Sequence, residues 1–404
     1  MRRLVLCLAC LLLVSGCAAS PVYPTDGAYH ADTDHPYFMY TSSYNLILAP
    51  SDNGFYMHVP VCLLHIDPDC TSAAPVCARP NCLHEKETDP ERFEQCSAYF
   101  PYANGANFVA WYRGVLYGLF YEETGFGENR TTLKKISPDG SRREDVLCFG
   151  DVKVVNCALI HRGSLYISLT LYDENTDSSG GLYAYSLDRP DEPPKTVIEL
   201  SGTGTRVISI NAYGNYLYYL CSDPYAWDDR VLYAHDLNTG ETFPLPGAPE
   251  GYAVTSVDFL DGKLITGAYP KEGASDDAPR FFECGLDGSH PRELPLPGGT
   301  LGSDGRYLYL LCGPESPDGA RLYVYDAAYG EVDCIGLAFD GFVPAILALY
   351  PTAGEYAILH CRERVSGKQH FYRLDKSALG SGTLRPAEFL RFDHEYMGAL
   401  YRNG

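Results

Sequence analysis

The sequence predicts an all-β chain folded as a β-propeller, with seven four-stranded blades as the count and six or eight as the alternatives. Three observations predict it. A short cassette returns seven times at a spacing of ~45–50 residues. Within each cassette, Leu and Tyr alternate with the period-two pattern of strands that pack between neighbouring sheets. The joints are Gly, Asp and Asn, the residues of tight hairpin turns. Two separate β-sandwiches would break this even spacing with a linker midway, and the sequence has none.

Each cassette divides into four strands. The innermost is apolar: Tyr44–Leu48, Phe108–Tyr112, Cys157–Ile160, Ile208–Ile210, Val254–Val257 and Ile346–Leu349, with Thr300-Leu-Gly-Ser303 the weakest. The second is the most regular, as in Gly114-Val-Leu-Tyr-Gly-Leu, Gly163-Ser-Leu-Tyr-Ile-Ser, Asn215-Tyr-Leu-Tyr-Tyr-Leu and Arg306-Tyr-Leu-Tyr-Leu-Leu, with weaker copies from Gly54, Gly262 and Glu355. The third closes on Asp, as at Asp188, Asp236 and Asp326, and the fourth is short. Tyr suits this pattern because its ring packs between sheets while its hydroxyl reaches an edge. Ring closure falls to Tyr37-Phe-Met-Tyr40 or to the tail around Tyr396–Tyr401.

In such a blade the second-to-third loop and the connection to the next blade emerge on one face. Here those are the long loops: 122–130, 172–181, 223–229, 269–279, 313–319 and the 78–106 excursion. The other face carries tight turns. Elaborated loops on a rigid scaffold concentrate function, so one working face is expected.

The N-terminus reads as a targeting segment. Arg2 and Arg3 precede an apolar run from Leu4 to Val14, too short to span a bilayer comfortably. Leu13-Val14-Ser15-Gly16-Cys17 then resembles a bacterial lipobox, which implies cleavage before Cys17 and a diacylglycerol on its thiol. The expected organisation is a signal peptide at 1–16, lipidated Cys17 with a flexible tether to residue 36, and one propeller domain over 37–404 with a Cys-rich excursion at 77–106. A net charge of −21 excludes tracking of nucleic-acid phosphates and argues against adhesion to an anionic membrane face. Lipid would therefore supply the attachment, on a bacterial cell membrane facing outside the cytoplasm.

Of 15 cysteines, Cys7, Cys10 and Cys17 belong to the leader. Cys221, Cys312 and Cys361 each lie six residues into their cassette, where Phe120 and Leu169 stand in others, so they read as small core hydrophobes. The excursion differs. Cys77-Ala-Arg-Pro80-Asn-Cys82-Leu-His84, followed by Cys96-Ser-Ala98, is a compact set of soft donors. Three readings stand: a metal, with Zn²⁺ suited to three thiolates and an imidazole; disulfides, with Cys62 and Cys70 joining in; or free thiols in a folded loop.

The run from Pro75 to His84, with Cys96-Ser-Ala98 after it, resembles a large group of bacterial propeller lipoproteins in which Pro-Leu-Cys-x-x-Pro-x-Cys-x-His and a later Cys-x-Ala recur behind a lipobox. Separately, Leu133-Lys-Lys-Ile-Ser-Pro-Asp-Gly-Ser141 and Phe281-Phe-Glu-Cys-Gly-Leu-Asp-Gly-Ser289 are similar to the strand-turn of TolB-like propellers. The resemblances imply a propeller lipoprotein and confer no activity.

Asp173-Glu-Asn-Thr-Asp177-Ser-Ser-Gly180 begins like a calcium loop but lacks Gly at its sixth position and Glu at its twelfth, where Ala184 stands, so calcium is disfavoured. Tyr225, Trp227 and Asp228 place aromatics beside a carboxylate on a long loop and are candidate ligand contacts. No Gly-x-Ser-x-Gly elbow, His-Glu-x-x-His or phosphate loop occurs. The expectation is a cell-envelope binding or interaction module for a protein, peptide or glycan. The alternatives are a propeller enzyme on glycans or peptides and a purely structural envelope protein.

Overall fold

A computed structural model describes residues 21–36, 47–59, 62–84, 87, 89–100, 108–125, 128–150, 154–172, 178–201, 205–223, 226–271, 278–313, 319–337, 344–365 and 368–392. Among them are 28 strands in seven four-stranded antiparallel sheets, each built from four strands consecutive in the chain. The fold is a seven-bladed β-propeller. Blade 1 holds β1 (Leu48–Ser51), β2 (Gly54–Val59), β3 (Cys62–Ile66) and β4 (Ala73–Pro75). Blade 2 holds β5 (Val109–Tyr112), β6 (Val115–Gly125), β7 (Glu128–Ile136) and β8 (Arg143–Cys148). Blade 3 runs from β9 (Val154–His161) through β10 (Ser164–Tyr172) and β11 (Ser178–Ser186) to β12 (Lys195–Ser201). Blade 4 comprises β13 (Arg206–Tyr213), β14 (Tyr216–Asp223), β15 (Ala226–Asp236) and β16 (Thr242–Leu245). Blades 5 to 7 repeat the plan from β17 (Tyr252–Leu260), β21 (Thr300–Ser303) and β25 (Pro344–Tyr350), the last ending in β28 (Ala387–Phe392).

The weak inner strand of the sixth cassette forms as read, at Thr300–Ser303. Of the first, expected at Tyr44–Leu48, residues 44–46 lie outside the described residues. The described strand β1 runs Leu48–Ser51, paired Leu48 to Met57 and Ser51 to Gly54, a register set by the two-residue turn before Gly54. Tyr37–Tyr40 and Tyr396–Tyr401 lie outside the described residues. Blade 7 nevertheless packs on blade 1: Tyr350, Ile358 and Phe371 share a core cluster with Leu48, Phe55 and Met57, and Arg373 donates to the Asp69 carbonyl at 2.7 Å.

The cassette residues bury as their alternation demands. Leu116, Leu165, Leu217, Leu264 and Leu308 are wholly inaccessible, and Cys221, Cys312 and Cys361 are buried beside them. Tyr218 sends its hydroxyl to the Leu286 carbonyl at the end of the next blade's third strand, 2.9 Å away. In several blades the Asp at the end of the third strand organises the following turn. Asp236, Asp287, Asp326 and Asp375 each accept the backbone N–H two residues on, at 2.8–3.0 Å. On the same face the first-to-second-strand turns at Arg113-Gly114, Arg162-Gly163 and Asp261-Gly262 take positive φ at both residues, the mirror-image turn that matches strand twist.

Residues 21–36, expected as part of a tether, are docked on this tight-turn face. Arg162, at φ 43° in the turn of blade 3, anchors them. Its guanidinium donates to the Asp34 carboxylate at 2.9 and 3.2 Å and to the carbonyls of Pro24, Asp26 and Ala28 at 2.8–3.1 Å. The Asp34 side chain is 0 % exposed and that of Arg162 5 %. Beside them His161 accepts the His35 N–H on Nδ1 at 2.9 Å and reaches the Gly214 carbonyl through Nε2 at 2.8 Å. Burial holds both imidazoles neutral, His35 down at about 3 and His161 at about 4. Composition alone suggested a linker because the acceptors that bind Arg162 are mostly backbone carbonyls, which no side-chain pattern reveals.

Asp258 on β17 is buried, and among the described residues its Oδ1 has no hydrogen-bond partner. Burial raises its carboxyl well above the ordinary range. The folded state therefore keeps a proton that the unfolded state releases above ~3.9, so stability falls as pH rises from there toward the folded value. Asp258→Asn should unfold at higher urea than the parent at about pH 7, with a flatter dependence between about pH 5 and 8. An unchanged midpoint and slope would contradict this account.

Candidate metal centre

The donor-rich excursion begins where blade 1 ends. Val76 still donates to the Leu63 carbonyl as an extension of β4, and Cys77 turns back to donate to the Pro75 carbonyl at 2.8 Å. Pro80 fixes φ in the following bend. Asn81 and His84 then take left-handed conformations at φ 62° and 49°, a region that Asn and His enter more readily than most side chains. The return leg carries a short helix, α1 (Pro90–Glu94), with Pro in its first turn and Asp89 capping it through the Glu91 N–H at 3.1 Å. Phe93 is buried beneath α1, edge-on to Tyr99 with ring centres 5.5 Å apart. Cys96 follows the helix directly, its N–H on the Phe93 carbonyl.

These bends bring Cys77, Cys82, His84 and Cys96 together. One donor atom from each lies within 4.8 Å of all the others. Cys96 Sγ is 3.6 Å from His84 Nδ1. A tetrahedral ion with bonds of about 2.3 Å to sulfur and 2.0–2.1 Å to nitrogen has ligand–ligand edges of roughly 3.5–3.8 Å. The donor set suits one tetrahedral metal ion, and the 3.6 Å Cys96–His84 separation matches such an edge. No disulfide links Cys77, Cys82 and Cys96, which are free thiols.

The charge balance points the same way. Burial raises Cys77, but N–H groups of Arg79 and Ser97 and the Cys96 thiol reverse it, leaving Cys77 below an ordinary thiol. Burial pushes Cys96 up to about 12, with the Cys82 hydrogen bond and the Cys77 thiolate adding to it. A thiolate is favoured at Cys77 and disfavoured at Cys96 unless a cation lies beside it.

Supports reach the centre from both neighbouring blades. Ala98 donates its N–H to Cys96 Sγ at 3.4 Å and accepts at its carbonyl from Leu63 of β3 at 2.8 Å. From blade 2, Arg143 donates to the carbonyls of Ser97 and Tyr99 at 2.7 and 2.5 Å, with its guanidinium 4.7 Å from the Phe120 ring centre. The centre thus fastens the excursion across the first blade interface. Cys62 lies under the return leg, bridged to Tyr99. Cys70 sits in the β3–β4 turn, at the opposite end of blade 1, so it is not a partner for the cluster. Sequence reading found the four donors but missed Arg143, because an Arg in a fourth strand resembles any surface charge.

The remaining candidates are placed less fully. Trp227 and Asp228 stand at the start of β15, beside the hairpin where Asp223 pairs with Ala226. Cys17, Tyr225 and the Asp173–Asp177 part of the calcium-like loop lie outside the described residues. Among the described residues no helix is long and apolar enough to cross a membrane.

No protein-family profile and no curated protein sequence matches the chain. Solved structures do. A prolyl endopeptidase aligns with a TM-score of 0.58 and 15 % identity over 87 % of this chain, which spans about half (50 %) of that protein. An oligogalacturonate lyase in complex with manganese aligns at 0.50 with 13 % identity, covering 84 % of this chain and 89 % of the lyase. The likeness is one of fold. TolB from Acinetobacter baumannii also aligns, at 0.39 with 12 % identity over 84 % of this chain and 78 % of its own.

The chain purified with metal should carry about one divalent ion, the stoichiometry of a single four-donor site. Cys82→Ser and His84→Ala should each lose it, and chelation should lower the melting temperature of the parent but not of either variant. Absence of metal together with loss of the three thiols to disulfides on thiol counting would overturn the assignment.

Proposed function

We propose that this protein is a lipid-anchored propeller outside the cytoplasm, whose hairpin face binds a protein, peptide or glycan, and that zinc at Cys77, Cys82, His84 and Cys96 is its structural staple. Softness of the donors supports zinc: three thiolates and an imidazole suit it, whereas manganese prefers oxygen ligands. All four ligand positions are filled by protein side chains, the arrangement of a structural rather than a catalytic zinc site.

One observation carries the binding reading, namely that the two faces of the ring are not equivalent. The tight-turn face is partly covered by the chain's own residues 21–36. The second-to-third-strand hairpins of all seven blades and the exit of the metal-bearing excursion lie on the other face. The expected loops 122–130 and 223–229 are there extended hairpins, with Glu122 paired to Arg130 and Asp223 to Ala226. Segments projecting from one face of a rigid scaffold are the usual architecture of a recognition surface. A propeller enzyme would instead be supported by several carboxylates of raised pKa around a pocket. Among the described residues Asp258 is the carboxylate raised in this way, and it is buried.

Glycan and peptide arrays probed with the purified chain test the proposal. A reproducible ligand class is expected, with affinity reduced ~10-fold by Trp227→Ala, the effect of losing one aromatic anchor. Turnover of an array component without a stable complex would replace the binding reading with the enzymatic one.

A further inference from the structure

We propose that residues 21–36 fix the orientation of the propeller on its membrane: the tight-turn face lies against the lipid surface and the hairpin face points away. The proposal rests on lipid attachment at Cys17. Tyr23, the first residue bonded to the blades, is six residues beyond Cys17, and six residues of extended chain span at most ~22 Å. It is therefore held within that distance of the lipid headgroups.

From Tyr23 onward the segment has little freedom to swing, because it is fastened to three consecutive blades. On blade 2, Arg113 donates to the Tyr23 hydroxyl at 3.2 Å. On blade 3, Tyr23 donates to Asp188 at 2.5 Å, and Arg162 binds Pro24, Asp26, Ala28 and Asp34. On blade 4, Asn238 donates to the Thr25 carbonyl at 2.7 Å, and Tyr29 stacks on Tyr213. The segment lies directly on the turns. A Cβ added at Gly163 would run into the Tyr23 ring, and one at Gly214 into the Gly27 carbonyl. Attachment at three points spread along an arc sets a plane, where a single hinge would leave the ring free to tumble.

The entry point also suits a lipid interface. Val22 is 95 % exposed, beside the anchor position. Pro21, Val22 and Tyr23 line a cleft of about 610 Å³ together with Trp111 and Arg113 at the blade 2 turn. An aromatic, a cation and an exposed aliphatic side chain are the residue types that settle at headgroup depth. The body as a whole is acidic, at −21, so contact with the surface is imposed by the anchor and the docked segment rather than by net charge.

The chain's two tryptophans report on this directly. Trp111 lines the cleft on the tight-turn face, and Trp227 begins β15 at the hairpin face. The lipidated full-length chain is reconstituted in zwitterionic phosphatidylcholine vesicles containing nitroxide-headgroup lipid, as Trp227→Phe and as Trp111→Phe. The expected result is several-fold stronger quenching of Trp111 than of Trp227. Equal quenching, or stronger quenching of Trp227, would overturn the orientation. Trp111 stacks on Tyr56, so its replacement could disturb blade 2. A second arm therefore keeps Trp111 and compares Trp227→Phe with and without a long Gly/Ser insertion between Cys17 and Pro21. The insertion leaves every docked contact in place but releases the ring from the surface, so it should abolish most of the Trp111 quenching. Unchanged quenching would count against the proposal. Vesicle flotation separates the two layers of the argument. If the chain does not float, or if Cys17→Ser floats equally well, the lipid anchor itself is wrong and the orientation falls with it. If the chain floats through Cys17 and the tryptophans are quenched alike, the orientation alone is wrong.

Discussion

A blade in this ring cannot bury its own faces. Each four-stranded sheet has apolar side chains on both sides, and they leave water only when a neighbour packs on each. Leu165, Leu217 and Leu264, wholly buried between sheets, are the residues through which this constraint acts. Fully burying one such side chain contributes about 1.5–3 kcal/mol, and the seven interfaces repeat the arrangement. Tyr enters the same layers because its hydroxyl can reach a carbonyl at the neighbouring blade's end, as Tyr218 does at Leu286. Closure follows from the same requirement: the packing of Phe371 and Ile358 against the first blade leaves neither end of the ring with an open apolar face.

The two places where the chain departs from the repeat are where it needs other chemistry. Between blades 1 and 2 it leaves the sheet at Val76, and the loop that follows is mostly polar, with Leu83 exposed. Its conformation costs are met by a donor cluster, by the cap on α1 and by Arg143 from the next blade. On the opposite face residues 21–36 have no strand to join. They are held instead by the buried pair of Arg162 and Asp34 and by carbonyls aimed at the same guanidinium. A buried pair of this kind is costly to break, about 3–5 kcal/mol for loss of one member, because the other charge is then stranded. Donor cluster and ion pair thus serve one purpose at opposite faces, the fixing of segments that hydrophobic packing cannot hold.

Much of this was legible in the residues themselves. Period-two Leu/Tyr alternation, Gly turns and terminal Asp residues revealed seven blades, the two faces and the core role of Cys221, Cys312 and Cys361. The four donors stood out because their spacing broke the repeat. What stayed hidden depends on backbone groups or on distant strands. The extension of β1 to Ser51 follows from a two-residue turn before Gly54. The docking of residues 21–36 relies on carbonyl acceptors for an Arg that looks, in sequence, like its counterpart Arg113 in the blade 2 turn. The convergence of the four donors needed distances, since metal, disulfide and free thiol all use the same residue types.

The central claim is that the break in the repeat is closed by a metal ion held by three sulfurs and one nitrogen. X-ray absorption at the zinc edge of the purified chain tests it most directly. The account predicts a four-coordinate shell of three Zn–S bonds near ~2.3 Å and one Zn–N bond near ~2.0 Å, reduced to two sulfurs or lost altogether in Cys96→Ser. A shell of oxygen and nitrogen alone, unaffected by that substitution, would contradict it.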